Sequence, residues 1–211
     1  MSERSGLDMV FVAGPPGAGK TTVAEQYQKV YPHTEQFGTG ELVWGIRDGD
    51  IKSRYAPMLR DLAQSGSPIP ADVFSGLVHE RVMQIKDSTE TVMVTGFPHD
   101  YSDWELFNEA LGGSDVLELG SVVLDAGLDT CIARMQERDV NRGKTVAEVA
   151  SAEEIGSYQK RYHDLKGRLA IRLDCYSRSG LEVVTVSAEN PRDQVSEDFN
   201  DVIRMFKEGK V

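Results

Sequence analysis

Apolar positions along the chain fall into two alternating patterns, and their order predicts a layered architecture. Residues 9–13, Met-Val-Phe-Val-Ala, form a short β-branched run that stops at a glycine, as a strand buried on both faces does. Residues 91–95, 121–125 and 181–186 carry the same signature. Between these runs the apolar spacing changes to three and four. Over residues 71–85 it sets Val73, Phe74, Leu77, Val78, Val82 and Ile85 on one stripe, which predicts a helix. Residues 21–30, 103–111, 129–138 and 151–177 read as helices too, and Pro191 opens a last one running to about residue 207. Strands alternating with helices predict an α/β fold of three layers, a parallel sheet with helices on both faces. No repeat, low-complexity tract or linker divides the 211 residues, so one domain is expected.

Charge narrows the partners. The formal net charge of −11 argues against a general nucleic-acid surface, because binding a phosphate backbone relies on clustered Lys and Arg. A locally basic pocket within an acidic protein is compatible with it. Cys131 and Cys175 stand apart without metal-type spacing, so reduced buried thiols and a cytoplasmic setting are expected. Residues 1–8 are polar and the apolar run after them is short, so neither a leader segment nor a membrane span is expected.

Gly14-x4-Gly19-Lys20-Thr21 fits the Walker A pattern, with a strand before it and a helix after it. Glycines at 14, 17 and 19 let the backbone curl until its N–H groups converge on phosphate oxygens, with Ala18 and Thr22 completing the cradle. The helix that begins near Lys20 aims its positive dipole end at the same point. Lys20 is the candidate for the β- and γ-phosphates, and the Thr21 hydroxyl is the candidate Mg²⁺ ligand. The bland alternative is a Gly/Pro-rich turn that matches by chance; the agreement of strand, loop, Lys-Thr and helix speaks against it.

Further motifs resemble the adenylate kinase and nucleoside monophosphate kinase family. Phe37-Gly-Thr39-Gly40-Glu41-Leu42 is similar to the stretch that opens the family's acceptor-binding region. Ser65-Gly66-Ser67-Pro68-Ile69-Pro70 and the helix after it resemble the next part of that region. Gly96-Phe97-Pro98 resembles the family's Asp-Gly-Phe-Pro-Arg at a strand end. Arg134 and Arg138 match a pair that holds the ATP base and phosphates, and Arg161 matches an arginine on the helix after the lid. The resemblance runs from about residue 9 to 196. It implies a P-loop fold with a five-stranded parallel sheet, a helical acceptor-binding insertion over about residues 38–86 and a short lid over about 139–151. It also implies ATP and Mg²⁺ as cofactors and a small nucleoside monophosphate-like acceptor. The lid carries Arg142 and no cysteine set, so no structural zinc is expected.

Physical chemistry agrees with that assignment. Phosphoryl transfer needs positioning and positive charge, and Arg134 and Arg138, four apart, share a helix face. Arg142 in a closing lid would help exclude water from the transferred group. Against each arginine singly stands an ordinary solvated helix face.

Departures from the family concentrate in the acceptor half, where Thr39, Ile69 and Gly96 are kept. The aspartate before Gly-Phe-Pro is Thr95, the arginine after it is His99, and the arginine of the first acceptor helix is Trp44. A base-reading glutamine falls at Asp103, and Arg47 or Arg54 is a candidate to compensate for lost charge. Trp44 reads either as a packing residue or as a stacking platform for an acceptor ring. His99 reads as a turn residue or a weaker acceptor contact. Asp100 and Asp103 read as a solvated loop, or as a replacement carboxylate for Mg²⁺ or for a hydroxyl acceptor. Three functions therefore stand side by side: a phosphotransferase with an altered acceptor, a nucleotide-binding regulatory protein that lost catalysis, and a small-molecule hydroxyl kinase.

Overall fold

The computed structural model describes residues 6–210; the polar opening residues 1–5, part of the argument against a leader segment, lie outside them. Five strands form one parallel sheet in the order β2-β3-β1-β4-β5. Strand β1 (Leu7–Ala13) is central, and it shows why an unbroken apolar run was needed there. Met9, Phe11 and Ala13 enter the core on one face, while Val10 and Val12 enter the core on the other. Strand β3 (Thr91–Thr95) spans the residues its sequence predicts. Strand β4 (Val116–Asp125) begins five residues earlier than the apolar run suggests. Its early half is mixed in polarity, and its register against β1 shifts between Met9 and Val10, which breaks the simple alternation. At Gly120 a Cβ would meet the Phe206 ring at 2.7 Å, so glycine is what lets the last helix pack there. Strand β5 (Val183–Ser187) forms one edge.

Strand β2 (Thr34–Gly38) forms the other edge and supplies the fifth strand. Thr-Glu-Gln-Phe-Gly has no apolar run because an edge strand needs less two-sided burial. Nine α-helices lie among the described residues: α1 (Lys20–Val30), α2 (Thr39–Asp48), α3 (Ala56–Ser65), α4 (Ala71–Ile85), α5 (Tyr101–Leu111), α6 (Leu128–Asn141), α7 (Val146–Val149), α8 (Ala152–Arg178) and α9 (Arg192–Glu208). Helix α4 is the periodic stripe, unaltered. Helix α6 runs three residues past its predicted end, and Pro191 caps α9 from outside rather than starting it.

The reading of Asp103 as part of a solvated loop is overturned. It is 2% exposed in the first turn of α5. Asp100 accepts a hydrogen bond from the Asp103 backbone N–H, and Asp103 accepts from the N–H of Asp100 and of His99. This reciprocal cap fixes where the helix starts.

Glu118 on β4 is half-buried, and its Oε1 has no hydrogen-bond partner among the described residues. Burial raises its carboxyl from the ordinary 4.5 to about 7. A raised native pKa favours the protonated folded state, so this contribution is complete below pH 4.5 and disappears as pH rises through 7. Glu118→Gln should match wild type at pH 4 and exceed its stability at pH 8, on the order of 2 kcal/mol. Denaturant melts of both proteins at the two pH values check this; a difference that does not change with pH contradicts it.

Candidate active site

The loop between β1 and α1 makes its sharp turns where side chains have no room. A Cβ at Gly14 would stand 2.4 Å from the Leu124 carbonyl oxygen, and one at Gly17 would stand 2.4 Å from that of Cys131. Both glycines also hold positive φ, which other residues adopt at a cost. Lys20 curls back over the loop and donates to the carbonyls of Gly14 (2.9 Å) and Pro15 (2.8 Å). Burial, and then repulsion from Arg172, push its ammonium down to about 8.

This loop forms the floor of a cleft of about 670 Å³. Gly14, Gly17, Ala18, Gly19, Lys20, Thr21 and Thr22 all line it. Strand order then divides its walls. On the β4–β5 side, α6 contributes Arg134, Arg138 and Glu137, Arg142 follows α6, and α9 contributes Arg192. Arg134 braces the loop, donating to the Ala18 carbonyl at 3.3 Å and to the Ala188 carbonyl at 2.8 Å. Arg138 lies against its neighbour Asp139 at 3.0 Å, and Arg192 pairs with Glu137 at 2.5 Å. On the β2–β3 side stand Thr39, Gly40, Glu41, Thr95, Gly96 and His99.

Helix α8 crosses from one wall to the other. Arg161, Leu165 and Arg172 line the cleft along one stripe of it. Arg172 was not singled out by the sequence, although it stands eleven residues, about three helical turns, after Arg161. That spacing was the available signal. Arg172 is 5% exposed and donates to the Pro98 carbonyl (2.7 Å) and the Gly96 carbonyl (2.9 Å). Thr39 donates to the same Gly96 oxygen at 3.2 Å, and the Tyr176 hydroxyl donates to the Phe97 carbonyl. Three successive carbonyls of the Gly96-Phe97-Pro98 turn are therefore held, which fixes the residue that follows them. That residue, His99, stacks on Phe74 with centroids 4.0 Å apart. Burial first, then Arg172 and Arg168, push its imidazole down to about 4, so it is neutral at physiological pH.

Trp44, Arg47, Arg54, Ile69, Asp100 and Asp103 do not line this cleft. Trp44 is 63% exposed, which overturns its reading as a packing residue. The Arg47 guanidinium lies 5.1 Å over its ring and is held by both carboxylate oxygens of Asp48. Ile69 packs half-buried against the core, and the Asp103 carboxylate is occupied by the α5 cap. Arg54, the other candidate compensator, donates to the Tyr55 hydroxyl.

A family model described as an AAA domain matches residues 10–156, well over half of the chain. UMP-CMP kinase of Gallus gallus is 28% identical over 210 residues, covering 95% of this chain and 98% of its own length. Adenylate kinase isoenzyme 1 of Sus scrofa is 26% identical over 188 residues, 89% of each chain. Adenylate kinase isoenzyme 5 of Mus musculus is 24% identical over 197 residues; the match takes in 89% of this chain and spans 31% of that relative's length. The chain belongs to the AAA-domain family of P-loop proteins, within which its relationship is to the adenylate and nucleoside monophosphate kinases.

Proposed function

We propose that the protein is an ATP-dependent phosphotransferase that moves the γ-phosphoryl group to a nucleoside monophosphate or a related small phosphorylated or phosphonate acceptor. One observation carries the reading. Lys20, Arg134, Arg142, Arg161 and Arg172 line one cleft, and none has a carboxylate within 4.0 Å among the described residues. Cations gathered without counter-ions repel one another; burial is the first cause of the lowered Lys20 ammonium, and Arg172 and Arg161 add to it. A polyphosphate is the ligand that relieves that repulsion. In this reading the P-loop and the arginines of α6 hold the donor, and Lys20, Arg138 and Arg161 oppose charge on the transferred group. The region of about residues 38–86 receives the acceptor, and the segment of about 139–151 with Arg142 closes as a lid to exclude water.

Mg²⁺ keeps several of its waters and takes few direct protein ligands. No group of three or more His, Cys, Asp or Glu suited to a metal occurs among the described residues, which accords with an ion held through phosphate oxygens and water. The donors available fit that use. Thr21 lines the cleft, while Thr95 Oγ1 and Glu41 Oε2 stand 3.1 and 3.4 Å from where a Cβ on Gly38 would be. Thr21 would ligate the ion, and Glu41 with Thr95 would orient its waters; the ion would neutralise charge on the β- and γ-phosphates.

Four expectations follow from these assignments. Lys20→Ala should abolish ADP formation with the best acceptor while leaving a nucleotide-free thermal melt unchanged; retained turnover contradicts the reading. Alanine at Arg138 or Arg161 should lower kcat roughly 10²–10³-fold with little change in ATP affinity. A loss confined to ATP affinity would make them binders only.

Lys20 also makes nucleotide binding take up a proton. In the free protein its ammonium titrates near 8, and a bound polyphosphate raises that value. Calorimetry in buffers of different ionisation enthalpy should find roughly half a proton or more taken up at pH 8.5 and almost none at pH 6.5. Equal uptake at both values contradicts the assignment. For the metal, Thr95→Asp should lower the Mg²⁺ concentration for half-maximal rate at fixed ATP, and Glu41→Gln should raise it. Coincident titration curves for the three proteins would remove both residues from the metal's surroundings.

A further inference from the structure

We propose that Arg172, with Arg168 one turn before it on α8, is the clamp that holds the acceptor's phosphate or phosphonate dianion. The inference rests on the phosphotransfer reading of the cleft and names the residues that grip the receiving group. The acceptor region of about residues 38–86 lends the cleft Gly38, Thr39, Gly40 and Glu41, and no cation. Arg47, within that region, is held outside the lining by both oxygens of Asp48. Positive charge beside the Gly96-Phe97-Pro98 turn therefore has to come from α8, which packs across it.

Arg172 is 5% exposed, yet it lines the cleft. Its bonds to the Pro98 and Gly96 carbonyls use two of its five N–H donors and fix the plane of the guanidinium. Nη1 has no hydrogen-bond partner among the described residues. Carbonyl dipoles steady the group without cancelling its charge. Arg168 is exposed and four residues earlier, so it shares a helix face with Arg172. Neither has a carboxylate within 4.0 Å among the described residues. Burial first, and Arg168 besides, lower the Arg172 guanidinium from its ordinary value. Both arginines also act on His99, whose ring is stacked on Phe74 and neutral, so it adds a hydrogen-bonding group without adding repulsion. Arg172 acts on Lys20 as well, which sets the clamp beside the point of transfer. Two guanidiniums without a counter-ion suit a group with two charges and several oxygens, which can take paired charge-assisted bonds.

The test separates a grip on charge from support of the turn. Uridine 5′-monophosphate and adenosine 5′-monophosphate, each beside its singly charged methyl phosphoester, are titrated by calorimetry at pH 8. The donor end is saturated with β,γ-methylene ATP. Wild type should bind at least one nucleotide roughly tenfold or more tighter than its ester. Arg172→Gln should bring that pair within about threefold, and Arg168→Ala should shrink the ratio by about threefold. Thermal melts of the variants come first. Loss of turn support alone weakens nucleotide and ester alike, so an unchanged ratio in either folded variant overturns the proposal. A wild type that shows no preference, or binds none of the four compounds, overturns it too. Should Arg172→Gln fail to fold, the ratio in the exposed Arg168→Ala decides. The ratio is read without turnover, so absence of ADP formation with every acceptor would count against the phosphotransfer reading and leave the clamp to stand or fall on binding.

Discussion

Mutual repulsion among cations without carboxylate partners is the constraint on which this architecture turns. Lys20 opens α1 while Arg161 and Arg172 lie on α8, and both arginines repel the buried Lys20 ammonium. Backbone carbonyls carry the compensation. Lys20 leans on Gly14 and Pro15, Arg134 on Ala18 and Ala188, and Arg172 on Gly96 and Pro98. Carbonyl dipoles stabilise a cation without cancelling its charge, so the cleft keeps its attraction for anions. The rigid sheet is what allows this, because β1 and β3 end where the loops they release must meet.

Helix α8 gives the arrangement its reach. Its 27 residues extend about 40 Å, from the segment that carries Arg142 to the turn that carries His99. Arg161 shares the cleft with the P-loop lysine and repels its ammonium, and Arg172 with Tyr176 grips the Gly96-Phe97-Pro98 turn. Helix α8 thereby joins the P-loop side of the cleft to the Gly96-Phe97-Pro98 turn. Phe97 and Tyr176 belong to the same apolar cluster as Phe11, so the tie is anchored in the core of the sheet.

Local chemistry was legible in the sequence, and chemistry made by assembly was not. The Walker loop could be read because glycine spacing, Lys20 and Thr21 act within a few residues of one another. The stripe of α4 could be read because helical burial imposes its own period. Strand β2 carried no such mark, since an edge strand is asked for less apolar surface. Arg172 looked like one more charge on a long polar helix; its meaning comes from carbonyls 74 and 76 residues away. Trp44 and Asp103 exchanged the expected environments. The indole lies in solvent under a guanidinium, and the carboxylate is buried as a helix cap, because backbone N–H groups left free at a helix start outrank solvent for that side chain.

Direct observation of where the γ-phosphorus goes tests the central claim, that this cleft hands a phosphoryl group to an acceptor held away from water. Phosphorus NMR of wild-type protein with ATP and Mg²⁺, run with and without a panel of nucleoside monophosphates, methyl phosphoesters and phosphonates, separates the outcomes. A new phosphoanhydride signal should appear with at least one acceptor, growing well ahead of inorganic phosphate. Inorganic phosphate alone, at a rate unaffected by any acceptor, or ATP bound and unchanged throughout, would contradict it.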